Sequence, residues 1–221
     1  MKKNIVLPFV LLVLSQIAMA QPWPAEGAPM RDPRASPSAG LGQEQPTQQV
    51  QQLKRWVLAT GDNQAMPFVI IDKVAAKVYV FRRDGQLQAA SPALLGLAQG
   101  DDTVPGIGSR PISTIRPDER TTPAGRFVAS LASTGHGDEV LWVDYDASVA
   151  LHRVVDIPRE RRLQRLASAS PLDRRITYGC INVPAKFFDT VVRPTFRGTS
   201  GIVYVLPEIR SPGQVFGSSG D

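Results

Sequence analysis

The chain has 221 residues, 43% of them hydrophobic and 20% charged, a balance that excludes a wholly disordered chain and a polytopic membrane protein. Its length allows one good-sized core or two small ones. Twenty-five basic against 20 acidic residues give a net charge of +5, and Lys2 and Lys3 lie in a removable segment, so the remaining excess is too small to announce a nucleic-acid partner.

Lys2 and Lys3 precede an apolar run over residues 5–14, and Ala18-Met19-Ala20 places small residues where a signal peptidase reads. Residues 1–20 are therefore read as a cleaved signal peptide, which predicts a periplasmic or secreted protein. The run falls short of the ~20 apolar residues of a membrane helix, and no later segment approaches that length, so no stable membrane insertion is expected after cleavage. Residues 21–46 hold six prolines among Gly, Ser, Ala and Gln, with too little apolar content to offset the entropy of ordering, and read as a disordered tether. Over residues 47–61, Val50, Leu53, Trp56 and Val57 share one face at helical spacing, predicting a packing helix that ends near Gly61.

Residues 62–210 read as the functional domain. Apolar, β-branched runs at 68–71, 78–81 and 87–95, with a turn at Asp84-Gly85, predict a meander of antiparallel strands. Residues 100–122 are rich in Gly, Pro, Asp and Arg without sustained periodicity, a long loop whose length favours a functional role. Strand patterns resume at 125–131, 140–145 and 149–154. Pro184 opens a helix through Phe187, Phe188 and Val191 that is expected to stop before Pro194. Residues 201–206 close the domain with a strand, and 211–221 read as a flexible tail. The fold class is thus mainly β with short helices.

The chain has one cysteine, and in an oxidising compartment a lone thiol is buried, bridged to another molecule or chemically used. His136 and His152 are the only histidines, and with one cysteine they form no recognisable metal-ligand spacing, so no metal is expected. Cys180 lies in Arg175-Ile-Thr-Tyr-Gly-Cys-Ile-Asn-Val-Pro184. A nucleophilic thiol needs a base and backbone donors for the oxyanion formed on acyl attack. Gly179 lets backbone approach a substrate closely, the downstream helix could aim its positive end at the sulfur, and His152 at a strand end offers an imidazole from a rigid position.

Thr177-Tyr178-Gly179-Cys180-Ile181-Asn182 closely resembles the nucleophile motif of the L,D-transpeptidase catalytic-domain family, usually Ser/Thr-His-Gly-Cys followed by an apolar residue and Asn or Arg. Thr122-Pro123-Ala124-Gly125-Arg126-Phe127 looks like that family's Thr-Pro-x-Gly-x-Phe segment, and His152 falls where the family places its base. The resemblance spans about residues 67–207. It implies a mostly β catalytic fold that cross-links peptidoglycan stem peptides through a cysteine acyl-enzyme, without metal or cofactor. Carried over, Cys180 is the nucleophile, His152 the base, Gly179 with Cys180 the oxyanion donors, and Thr177 the brace of the loop. Three departures stand out. Tyr178 replaces the usual histidine and is assigned a catalytic part as a phenol that can donate one hydrogen bond to an oxyanion or a substrate carbonyl, Arg153 replaces the usual glycine or serine after the base, and an inserted stretch over 156–174 lengthens the spacing between His152 and Cys180. A binding module of the same fold, degenerate at Tyr178, and a hydrolase of the same thioester remain as alternatives.

Residues 153–175 carry seven arginines against three acidic residues. The run reads either as a solvated helix face or as a basic lid over the thiol whose guanidinium forks receive stem-peptide carboxylates. Arg153, Arg161, Arg162, Arg165 and Arg175 are accordingly assigned to substrate binding, together with Thr177 and Asn182 of the motif. A short helix behind Pro158 is expected to turn Leu163 and Leu166 toward the domain. His136 reads as a loop-tip residue, Trp142, Tyr145 and Trp56 as core or edge aromatics, and adjacent Asp101 and Asp102 cannot easily flank a glycosidic bond.

Overall fold

A computed structural model describes residues 45–217; the expected signal peptide and all but the last two residues of the tether lie outside them. The chain runs α1 (Gln48–Thr60), β1 (Phe68–Asp72), β2 (Lys77–Phe81), β3 (Leu87–Pro92), β4 (Leu95–Gly96), β5 (Gly125–Ser133), β6 (Glu139–Asp144), β7 (Val149–Arg153), α2 (Arg162–Ala167), β8 (Arg175–Thr177), β9 (Ile181–Val183), α3 (Ala185–Phe187), α4 (Arg193–Phe196), β10 (Gly201–Val205) and α5 (Pro212–Phe216). It is mainly β with short helices. Eight strands form one sheet in the order β3-β2-β1-β10-β5-β6-β7-β9, and β4 pairs with β8 apart from it. Among the described residues no helix is long and apolar enough to cross a membrane.

The period-2 alternation of the central strands divides two cores. Val69, Ile71, Val78, Val80, Val203 and Val205 face one side, where Leu151, Ile181, Val183 and Phe188 join them. Phe68, Ile70, Tyr79, Phe81, Ile202 and Tyr204 face the other, under Val50, Leu53 and Val57 of α1. Every residue of β1 and β10 is buried, as expected of strands covered on both faces.

β1, β2 and β3 make the antiparallel meander, but β1 pairs parallel with β10 and β7 parallel with β9. The single run expected over 87–95 is also two strands: β3 ends at Pro92, which has no N–H to donate, and the chain crosses to pair Leu94 with Asn182 and Leu95 with Arg175. The helix begins after Pro184 yet does not stop before Pro194. A π-helical segment, Phe188–Val192, widens the turn, and α4 carries Pro194 near its own start, where a missing N–H is tolerated. The Thr195 hydroxyl donates to the Val191 carbonyl at 2.7 Å. The tail is not free from its start either. Ser211 and Gln214 form a capping box for α5, and Phe216 is buried against Tyr204 with ring centroids 6.1 Å apart.

Residues 100–122 form three one-turn 3-10 helices, Ile107–Ser109, Ile112–Thr114 and Pro117–Glu119, held by a buried charge cluster. Lys73 Nζ donates to Asp101 Oδ1 at 2.8 Å and to the Thr122 carbonyl at 3.0 Å, anchoring both ends of the loop. Asp101 accepts from the backbone N–H of Glu208, Ile209 and Arg210, and Glu208 pairs with Arg175. Burial pushes the Asp101 carboxyl up, but the Arg210 and Glu208 amides and Lys73 together hold it at about 2.

Candidate active site

The Cys180 loop is built from buried hydrogen bonds. Thr177 is 2% exposed; its hydroxyl donates to the Cys180 carbonyl at 2.7 Å and accepts from the Gly179 N–H at 3.2 Å, closing the turn. Thr122 Oγ1 donates to the Gly179 carbonyl at 2.9 Å and accepts from the Gly96 N–H at 2.9 Å. Gly179 has φ of +131°, and a Cβ there would lie 2.8 Å from the Thr121 carbonyl oxygen. Only glycine fits without a shift. The segment after the long loop is therefore the wall against which the cysteine turn is pressed.

His152 and Asn182 are register partners on the parallel strands β7 and β9. Their neighbours Leu151, Ile181 and Val183 point into the core, so His152 and Asn182 lie together on the opposite face. Cys180 precedes Asn182 by two residues, about 7 Å of strand. Cys180 is half-buried as a residue, and its Sγ donates to the Ser148 carbonyl at 3.6 Å. Burial pushes the thiol up, while the Ala150 backbone and the Arg162 charge pull it down less strongly, and the balance is raised.

The imidazole tautomer follows from its partners. Arg162 Nη1 lies 3.1 Å from Asn182 Oδ1, and a guanidinium only donates, so the Asn182 amide must turn Nδ2 toward His152 Nε2, 2.9 Å away. Nε2 is then the acceptor and Nδ1 carries the proton, which it donates to the Arg153 carbonyl at 2.8 Å. Burial lowers the imidazole pKa, the Arg153 carbonyl raises it, Arg162 lowers it and Asp138 raises it, for a net lowering. The ring is neutral at pH 7, with its one lone pair aimed at Asn182.

The inserted segment contributes one arginine to this face. Arg162 is held by Glu160 Oε2 at 2.6 Å on Nε and reaches Asn182 on Nη1. Arg165 is bonded to the Glu160 and Asp173 carbonyls, and Arg161 is an exposed residue with φ of 52° at the start of α2. Leu166 is buried, whereas Leu163 is 50% exposed and does not face the domain.

Four of the expected roles change. Arg175 is buried and bonded to Glu208 and to the Lys73 carbonyl, which makes it part of the loop anchor and unable to receive a substrate. Arg153 stacks on Phe188 at 4.3 Å, pairs with Asp189 and donates to the Glu139 carbonyl; its fork is spent on the fold. Thr177 is buried with its hydroxyl used twice inside the turn, so it braces the loop and does not contact substrate. The Gly179 N–H, given to Thr177, is no oxyanion donor in this geometry. The downstream helix also begins only after β9, about 10 Å of extended chain from Cys180, beyond the reach of its dipole.

Sequence reasoning missed Arg120, whose guanidinium stacks on the Tyr178 ring at 3.9 Å while bonding the Ile115 carbonyl. The signal for it was only that residues 100–122 had to fold somewhere. Trp142 and Tyr145 are stacked, with centroids 5.1 Å apart, Trp56 packs toward Phe216, and His136 is exposed in the β5–β6 turn. Among the described residues no group of His, Cys, Asp and Glu could hold a metal ion.

No family model and no curated protein matches the chain. Solved structures do. The catalytic domain of an L,D-transpeptidase from E. faecium is matched over 63% of this chain and 96% of that one, with 15% identity and a TM-score of 0.38. An L,D-transpeptidase from Xylanimonas cellulosilytica is matched over 63% of this chain and 60% of that one (16%, 0.39). The helical cell shape determining protein Pgp2 from Campylobacter jejuni is matched over 66% of this chain and 49% of that one (15%, 0.41). The chain thus spans about half to three fifths of the length of the last two, and it is to these proteins that it is similar.

Proposed function

We propose that the chain is an exported, L,D-transpeptidase-like cysteine acyltransferase that acts on peptidoglycan stem peptides through Cys180. The observation that carries this reading is the turn at 177–180. The chain's one cysteine is held half-buried in a loop braced by Thr177 and Thr122, two residues before Asn182, the register partner of His152. An inert core cysteine requires none of that bracing.

His152 Nε2 takes the thiol proton, and the thiolate sulfur bonds to the acyl carbon of a stem-peptide amide. The C–N bond breaks, and the imidazolium returns its proton to the leaving amine. An acceptor amine, or water, then attacks the thioester carbon and gives its surplus proton to the same nitrogen; the C–S bond breaks, and the departing Cys180 thiolate takes that proton back to restore the thiol. Burial raises the thiol and lowers the imidazole, so both groups favour their neutral forms before the substrate arrives. With the Gly179 N–H spent on Thr177, the oxyanion falls to the Cys180 N–H and the Tyr178 hydroxyl.

At rest the sulfur is bonded to Ser148 and Nε2 to Asn182, an arrangement that favours a second reading, a binding module of the same fold. Incubation with purified stem peptides, with and without an added amine, separates them by mass spectrometry of the products. Cross-linked or exchanged peptide that disappears in Cys180→Ser supports acyl transfer, hydrolysed peptide alone supports the hydrolase, and bound but unchanged peptide supports the module.

A further inference from the structure

The basic lid, taken as a whole, says little about selectivity, because most of its arginines are consumed within the fold. Arg162 is different. It is the one guanidinium of α2 that contacts the motif, and it does so through Asn182, whose amide occupies the only lone pair with which His152 can accept a proton. The base is therefore parked. Nε2 can accept a proton from the thiol only once the ring leaves the Asn182 amide.

Arg162 also already binds a carboxylate. Glu160, two residues before it, holds Nε at 2.6 Å, and the pair is largely shielded, with side chains 11% and 23% exposed. This is the arrangement a substrate carboxylate would have to replace, and the exchange would draw the fork off Asn182 Oδ1. Exchange with Glu160 swaps one carboxylate for another at Nε, and the gain lies at Nη1, where a charge-assisted contact takes the place of the neutral Asn182 amide.

Resting on the acyltransferase reading, we propose that Arg162 is a positioning residue that reads a carboxylate of the incoming peptide and releases His152 through Asn182. With the fork on Glu160 and Asn182 the base is held, and with the fork on substrate Asn182 loses its anchor and Nε2 is free for Cys180. Selection for an acidic donor is thereby coupled to proton transfer as well as to binding. The charged and titratable groups facing the imidazole are Arg162 and, through it, Glu160 from the inserted segment, and Asp138 from the β5–β6 turn; Arg162 also acts on the Cys180 thiol. Asn182→Ala cuts the link without altering any of these charges.

The test measures alkylation of Cys180 by iodoacetamide, a neutral reagent, from pH 5 to 9 in the wild type, Asn182→Ala and Arg162→Met, each with and without N-acetylalanine as a carboxylate probe. Thermal melting confirms folding. The expected result is a rate in Asn182→Ala about three- to tenfold above wild type near neutral pH, the worth of one hydrogen bond, with a pH profile that follows an imidazole. N-acetylalanine should accelerate the wild type and leave both variants unmoved. An unchanged or slower Asn182→Ala overturns the proposal, as does equal acceleration by the probe in Arg162→Met. Should Asn182→Ala not fold, the Arg162→Met comparison with the probe decides alone, since Arg162 lies outside both cores. Stem-peptide adducts are scored in parallel. Adduct formation without the release response rejects the Arg162 role only, whereas the release response with no adduct in any variant rejects the acyltransferase reading only.

Discussion

The hydroxyl of Thr122 donates to the carbonyl of Gly179 at 2.9 Å across 57 residues of chain, so the segment that ends the long loop and the turn that carries Cys180 are one structural unit. The same oxygen accepts from Gly96, and Thr122 is fully buried.

Thr122→Val keeps the volume and removes both bonds, leaving a buried carbonyl and a buried N–H without partners. The expected loss is about 2–4 kcal/mol, read as a melting temperature lower by several degrees, with slower alkylation of Cys180. Thr122→Ser should recover most of both. A Val variant as stable and as reactive as wild type would show the two segments to be independent.

Tyr178 is the residue through which the oxyanion proposal is most exposed. Tyr178→Phe keeps the ring under Arg120 and removes only the hydroxyl, so melting should be unchanged while acylation falls by about 10²–10³-fold, the usual worth of one oxyanion donor. Equal acylation rates would reduce the phenol to a stacking surface. Tyr178→Leu should in addition lose the cation–π contact, worth about 0.5–2 kcal/mol.

Acid sensitivity should reside in the loop anchor. The folded Asp101 pKa is depressed from 3.8 to about 2, so its contribution is fully present above pH 3.8 and is lost as the pH falls through about 2. The amount is about 2 kcal/mol. Urea unfolding between pH 2 and 6 should show this loss in the wild type and not in Asp101→Asn, which is less stable than wild type at neutral pH. Parallel pH dependences in the two proteins would place the anchor elsewhere.

Much of the sheet was legible because alternation of Val, Ile, Phe and Tyr is a local signal, and β1, β2, β5, β6, β7 and β10 lie where that pattern falls. The parallel pairings of β1 with β10 and β7 with β9 were not, since nothing local says which distant strand will pair. The α5 helix had a signal in Ser211-Pro212 and Gln214, a capping box read past because the segment is short and terminal. The site divides the same way. The Cys180 turn is a contiguous motif with a required glycine, and it was found. The roles of Arg153 and Arg175 depended on Asp189, Glu208 and Phe188, partners 33 to 36 residues away, and charge counting cannot tell an arginine locked into the fold from one that faces a ligand. Arg162 was found as one of a set; that it alone meets Asn182 required the register of β7 against β9.

In the proposed reaction the Cys180 sulfur becomes covalently bonded to the acyl group of a stem peptide. Intact-protein mass spectrometry after incubation with purified stem peptides, followed by peptide mapping, reads this directly. The expected result is an adduct of the acyl fragment's mass on Cys180 that forms far more slowly in His152→Ala, is absent in Cys180→Ser, and is discharged by an added amine. Unmodified Cys180 throughout, with stem peptide bound but intact, would contradict it.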